Sequence, residues 1–201
     1  MSHSYLTIFK KIGDVSFKER GSKFIGFAIP VNDEEEAKEE VKELWKLHPD
    51  ATHICYAYRL GLEGEIYRAN DDGEPSGSAG LPIYNQILSK GLTNVLVASV
   101  RYYGGTKLGV PGLVKAYKQS ARMVLDEAKI VKKHLTVKLG FEFSYEDQGA
   151  VMRIVERFNA EVLNSGFAEN CTLQVQILKQ QADEFEAAFE PLYNVKIIRD
   201  N

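Results

Sequence analysis

Cysteine is scarce in this sequence: Cys55 and Cys171 are the two thiols in 201 residues. They lie far apart, so no disulfide framework is implied and a reducing compartment suits the chain. No apolar run approaches the ~20 residues that a membrane-spanning helix needs, and the N-terminus lacks the basic-then-apolar pattern of a signal peptide. No membrane role is expected, and the cytoplasm is the expected location. There is also no general excess of positive charge. The net charge is −3, which excludes a global basic tail for nucleic acid. His and Cys are too scattered for a structural zinc site. The acidic cluster Asp71-Asp72-Gly73-Glu74 lacks EF-hand spacing. No resident metal and no cofactor are expected.

One absence is local. No acidic residue occurs between Glu74 and Asp126, while Lys90, Arg101, Lys107, Lys115, Lys118 and Arg122 all fall inside that interval. Residues 1–129 carry 17 Lys+Arg against 17 Asp+Glu, and residues 130–201 carry 8 against 11. An anion-binding surface must therefore be local and within the first part of the chain. The same region is rich in glycine, with eight between Asp71 and Tyr117.

Apolar periodicity supplies the elements. Leu6–Phe9, Val15–Glu19 and Phe24–Val31 are strand-like, broken by Gly13 and Gly21-Ser22. Asn32 or Asp33 caps a helix with acids in its first turn and Ala37, Val41, Leu44 and Trp45 as its buried stripe. Thr52–Leu60 alternates, placing His53, Cys55, Ala57 and Arg59 on one face and Ile54, Tyr56, Tyr58 and Leu60 on the other. A turn at 61–64 returns the chain through Glu65–Ala69. A helix holds Pro82 in its first turn and runs to about Lys90. Thr93–Tyr103 is the strongest strand, and a helix starts at Pro111 and ends near Glu127. After a boundary at Lys129–Lys133, the pattern reads strand (134–143), helix (145–159), two strands (160–167 and 169–178) around an Asn164-Ser165-Gly166 turn, helix (182–191) and strand (195–199). That β-α-β-β-α-β order is the ferredoxin-like split. The expected class is α+β in two domains, residues 1–130 and 134–201. If the helices of the first domain all lie on one side, its His53/Cys55/Arg59 face stays open or becomes a concave site.

Three constellations carry possible chemistry. His53 and Cys55 share a strand face, about 6.6 Å apart along it, which permits a Cys–His pair only with favourable rotamers. The sequence near them supplies no orienting acid. A half-buried Cys beside a hydrogen-bonded His is the plainer reading, so no catalytic residue is assigned. If the protein is an enzyme, His53, Cys55 and Asp72 are its candidates. Asp71, Asp72 and Glu74 read best as a structural loop in which Asp71 or Asp72 pairs with Arg59 or Arg101. The third constellation is anionic in its target. Gly104-Gly105-Thr106-Lys107-Leu108-Gly109 joins a strand to a helix, and Ser76-Gly77-Ser78-Ala79-Gly80 precedes another helix start. Both suit anion contact through free N–H groups, although the glycines equally serve tight turns. Neither is a Walker A or a dinucleotide fingerprint. Arg59, Ser76, Ser78, Arg101, Tyr103, Gly104, Gly105, Lys107, Lys115 and Lys118 form the candidate anion- or nucleic-acid-binding set, with Tyr103 available for base stacking.

Larger motifs point to a family. RGSKFIGFA at residues 20–28, DATHICYAYR at 50–59, DDGEPSGSAG at 71–80 and the segment from Val100 through RYYGG, KLG and GL to KAY at 115–117 occur in this order. Together they resemble the IMPACT family in its bacterial, YigZ-type form, from about Ser16 to Ala128. Members usually carry Gly-Gly where this chain has Pro111-Gly112. The resemblance implies an N-terminal domain like the second domain of a small-subunit ribosomal protein and like domain IV of elongation factor G. It implies a C-terminal domain like a later domain of that factor. It also implies a non-catalytic regulator of translation or stress response that contacts RNA or the ribosome. Eukaryotic members carry an additional partner-binding domain, whose contacts are not carried over here. The rival expectation is an enzyme acting on a phosphorylated or anionic small molecule in a cleft at His53, Cys55, Arg59 and Arg101. A protein partner at the exposed sheet face of the second domain is a third. A monomer or weak homo-oligomer is expected.

Overall fold

A computed structural model describes residues 3–167 and 170–199. They form a mixed α+β chain that divides into two compact units, one up to Lys133 and one from His134 onward.

The first unit is built on a five-stranded sheet of order β2-β3-β6-β4-β5, from β2 (Ile12–Glu19), β3 (Ser22–Pro30), β4 (His53–Leu60), β5 (Ile66–Asn70) and β6 (Val95–Tyr102). Ahead of them, β1 (Ser4–Ile8) pairs with β7 (Ile130–His134) in a separate two-stranded ribbon. Strand β6 sits between β3 and β4 and is antiparallel to both. Seven of its eight residues are buried, which is why NVLVASVRY reads as a continuous apolar run rather than an alternating one.

Three helices flank this sheet: α1 (Glu34–Leu47), α2 (Gly80–Ser89) and α3 (Gly109–Glu127). Asp33 caps α1 by accepting the Glu36 N–H at 2.8 Å. Helix α1 packs Ala37 and Leu44 against Ile25, Phe27, Ile54, Tyr58, Leu96 and Ala98. Helices α2 and α3 pack Ile83, Ile87, Leu113, Tyr117 and Val124 against Phe24, Cys55, Ala57, Val95 and Val97 on the other face. Both faces are thus covered. The open concavity expected at His53, Cys55 and Arg59 does not form, because α2 and α3 fill it.

The helices separate for a topological reason. The connections β3-α1-β4 and β5-α2-β6 each join parallel strands across one intervening strand, and they run in opposite senses along the sheet. Two such crossovers of the same hand would share a face. Since α1 and α2 lie on opposite faces, one of the two is necessarily left-handed, against the strong right-handed rule for such units. Sequence patterning carries no signal for that exception.

The second unit contains β8 (Thr136–Phe143), α4 (Gln148–Arg157), β9 (Glu161–Phe167), β10 (Cys171–Leu178), α5 (Ala182–Ala187) and β11 (Lys196–Arg199). Its four-stranded sheet has the order β11-β8-β10-β9, with antiparallel neighbours. Phe141, Val151, Cys171, Val175, Phe185 and Phe189 form its core. Asn164-Ser165-Gly166 is not a turn. These residues pair with Gln174, Leu173 and Thr172 inside the ladder, and the expected strand start at Glu169 lies outside the described residues.

Candidate functional site

The acid-rich loop after β5 is tied down by all three of its carboxylates, and each acid does something different. The Asp71 carboxylate accepts N–H bonds from Gly77, Ala79 and Gly80 at 2.8, 2.9 and 2.8 Å. It thereby serves the start of α2, whose N-cap residue Ala79 has no side chain to do so. Asp72 accepts the Ile54 N–H at 2.7 Å. Its carbonyl holds His53 Nδ1 at 2.7 Å, so that nitrogen carries the proton. Glu74 is buried and bonds Arg101 Nη1 at 2.5 Å and the Tyr117 hydroxyl at 2.7 Å.

Arg101 is therefore not a surface ligand. Its side chain is 6% exposed and ion-paired to Glu74, with Ser22 Oγ 3.4 Å from Nη2. The Phe24 and Tyr103 rings each lie 5.5 Å from its guanidinium carbon. The arginine-to-acid tie expected of this loop thus runs from Glu74, while Asp71 and Asp72 bind backbone N–H groups. Arg59 is also committed: it donates to the carbonyls of Leu92, at 2.9 Å, and of Glu63. Ser22 and Tyr117 complete the cluster. Sequence reasoning gave neither a site role, although Ser22 lies inside the RGSKFIGFA motif and Tyr117 inside KAY.

Cys55 is buried and donates Sγ–H to the Asp71 carbonyl at 3.0 Å. Burial pushes its thiol well above the ordinary range; the Tyr117 hydroxyl opposes this, and the charges of Glu74, Asp72 and Asp71 add to it. That is the reverse of an activated nucleophile. Tyr117 is likewise pushed upward, first by burial and then by Cys55 and Glu74. His53 and Cys55 thus each bond a different loop carbonyl.

The glycine turn has a packing role. A Cβ on Gly104 would stand 1.9 Å from the Gly21 carbonyl carbon, so this position is glycine because the end of β6 touches the start of β3. The Gly104 N–H is spent on Ser22 Oγ at 3.2 Å. Gly105 takes φ +85° with nothing near it, as a turn glycine does. Ser76 is exposed, whereas Ser78 is fully buried. Tyr103 is partly exposed.

What remains free is the outer side of α3. Lys115 and Lys118 are exposed and, among the described residues, form no ion pair; the same holds for Lys107. Arg122 has only a 3.9 Å approach to Asp126. Lys90 is occupied by Asp126 at 2.7 Å, which holds that carboxyl below its usual range. A groove of about 440 Å³ runs beside the first half of α3, lined by Glu19, Arg20, Leu108, Pro111, Gly112, Lys115, Ala116 and Gln119. A second depression of about 180 Å³ shares Lys115 and Gln119 and continues to Lys118 and Arg122. Arg20 joins this strip from the β2–β3 turn, in the left-handed backbone region at φ +46°. The sequence reading missed Arg20. Its signal lay only in its position inside the RGSKFIGFA motif. Among the described residues no group of three or more His, Cys, Asp or Glu is arranged to hold a metal, and no helix is long and apolar enough to cross a membrane.

Comparison with known proteins places this geometry in context. The Impact N-terminal domain matches residues 20–125. The IMPACT family member YvyE of Bacillus subtilis is 31% identical over 196 residues, which is 98% of this chain and 90% of that protein. The IMPACT family member YigZ of Escherichia coli is 30% identical over 168 residues, 83% of this chain and 82% of that one. A crystal structure of a hypothetical protein superposes with a TM-score of 0.74 at 26% identity, covering 100% of this chain and 99% of its own. A domain match spanning the loop, the buried pair and α3, joined to relatives aligned over most of their length, makes this chain a member of the IMPACT family, of the YigZ type.

Proposed function

We propose that the protein is a non-catalytic regulator of translation that contacts RNA or the ribosome through the basic strip on α3. The observation that carries this reading is the strip itself. Arg20, Lys115, Lys118 and Arg122 line two adjoining depressions, and Lys115 and Lys118 have no carboxylate partner among the described residues. Unpaired cations on a rigid helix are suited to phosphates. Family membership supports the translation role. The second unit's β-α-β-β-α-β order and its β11-β8-β10-β9 sheet support reading it as ferredoxin-like. The likeness of the first unit to a ribosomal-protein domain and to domain IV of elongation factor G belongs to the same proposal. A cytoplasmic site of action follows from it.

The enzyme alternative is weaker on physical grounds. Its cleft is filled by α2 and α3, and its thiol is held protonated.

The test is ribosome co-sedimentation of the wild type and a Lys115→Ala/Lys118→Ala variant at low and moderate salt. Arg101 is unsuitable for it, because its replacement strands a buried Glu74. Binding by the wild type, lost in the variant and weakened by salt with a slope of roughly −0.7 per phosphate contacted on a single strand, is the expected result. Absence of wild-type binding at low salt overturns the proposal.

A further inference from the structure

The groove beside α3 contains one group that a plain phosphate site would exclude. Glu19, at the end of β2, lines it together with Arg20, Lys115 and Gln119. Its carboxylate is 4.0 Å from Arg20 Nε and about half exposed, too far to be neutralised by a hydrogen bond. Phe17 and Glu19 alternate onto the sheet face that α3 covers, since Phe17 packs in the α3-side core. The carboxylate thus stands opposite the helix across the groove. Leu108, Pro111 and Ala116 supply an apolar floor. The shared residues Lys115 and Gln119 lead directly into the neighbouring depression at Lys118 and Arg122.

An ionised carboxylate only accepts hydrogen bonds. In a cationic groove it repels phosphate, so a ligand that gains from it must bring donors as well as negative charge. A single-stranded nucleotide does both: phosphates outside, a base edge within. Among the four RNA bases, guanine presents two adjacent donors on its Watson–Crick edge, N1–H and the N2 amino group, which match the two carboxylate oxygens. Adenine and cytosine place an acceptor beside their amino group, and uracil flanks its single N–H with two carbonyls. The groove's volume of about 440 Å³ accommodates one base.

We propose that this groove seats one guanine of a single-stranded RNA, its donor edge on Glu19 and its flanking phosphates on Lys115, Lys118 and Arg122. The inference rests on the RNA-contact reading above and adds base preference to it.

The test is fluorescence anisotropy with two labelled RNA octamers, one all-uridine and one alternating guanosine and uridine, at about 50 mM salt. Wild type, Glu19→Ala and Lys115→Ala/Lys118→Ala are compared. The wild type should bind the guanosine octamer about tenfold more tightly, as one bidentate contact gives. Glu19→Ala should abolish that ratio while leaving uridine binding unchanged or tighter, since a negative charge is removed. The lysine variant should weaken both octamers. Equal wild-type affinity for the two, or a Glu19→Ala variant that tightens both by the same factor, overturns the guanine assignment. The two readings fail separately. Ribosome co-sedimentation with no octamer preference removes only the base contact, whereas no binding to ribosome or either octamer removes the RNA reading with it.

Discussion

At Glu74 and Arg101 two full charges share an interior, and neither can be removed alone without stranding the other. Arg101→Ala should cost about 3–5 kcal/mol, because it leaves an uncompensated buried carboxylate. A paired Glu74→Leu/Arg101→Met change should cost less than either single removal. Urea denaturation decides it: a loss below about 1 kcal/mol for Arg101→Ala means that the pair is not desolvated as described. Cys55 and two tyrosines set the alkaline limit. Burial, reinforced by the hydrogen bond to Glu34, pushes Tyr58 up to about 12, and burial also raises Tyr117 and Cys55. In each case the folded state keeps its proton longer than the unfolded chain. Their contribution is therefore complete below the unfolded values, about 8.5 for the thiol and about 10 for tyrosine, and is lost as pH rises toward the folded ones. Urea midpoints should fall steadily from about pH 9 to pH 12. Iodoacetamide should label native Cys55 only as fast as the first unit opens. Prompt labelling near neutral pH, read by mass spectrometry, would contradict the raised thiol.

Among the elements, α2 depends most on a residue outside itself. Its ten residues carry no charge and its N-cap is an alanine, so the first-turn N–H groups rely on Asp71. Asp71→Ala should destabilise the first unit by about 1–2 kcal/mol, in the range of a lost cap. Hydrogen exchange should accelerate first at the Gly77, Ala79 and Gly80 amides. Unchanged exchange there would show that these N–H groups are served by something other than Asp71. The elements themselves were mostly legible. Alternation marked β4, helical spacing marked the buried stripe of α1, Pro111 marked the start of the helix that is α3, and Thr93–Tyr103, read as the strongest strand, holds β6. The missed feature in the second unit, a turn placed on Asn164-Ser165-Gly166, arose because small polar residues read as a loop. There they occupy an edge strand, β9, most of whose side chains are exposed.

On the scale of the whole molecule, the two units keep separate cores: two clusters on either face of the five-stranded sheet, and one of Phe141, Phe185 and Phe189 with their neighbours. Phe185 is fully buried and meets Phe141, Phe158 and Phe189 at ring-centroid distances of 5.8, 5.3 and 5.1 Å. Phe185→Ala should remove about 3–5 kcal/mol from the second unit. Native-state hydrogen exchange should show this loss from residue 134 onward and leave β6 protected as before. Equal loss of protection in β6 would mean that the two cores unfold as one.

Which residues alternate, where helices start and stop, and that a long acid-free, glycine-rich segment carries several cations can all be read along the chain. Those properties are local, set by side-chain period and turn chemistry. The sequence also carries the family motifs. Which cations are free is set by packing between distant segments. Arg59 and Arg101 look no different from Lys115 in sequence, yet Arg101 is neutralised by Glu74 and Arg59 is spent on carbonyls, while Lys115 faces open space. The distinction depends on which sheet face α1 and α2 cover. That in turn depends on the opposite hands of two crossovers, a long-range choice that local periodicity does not encode.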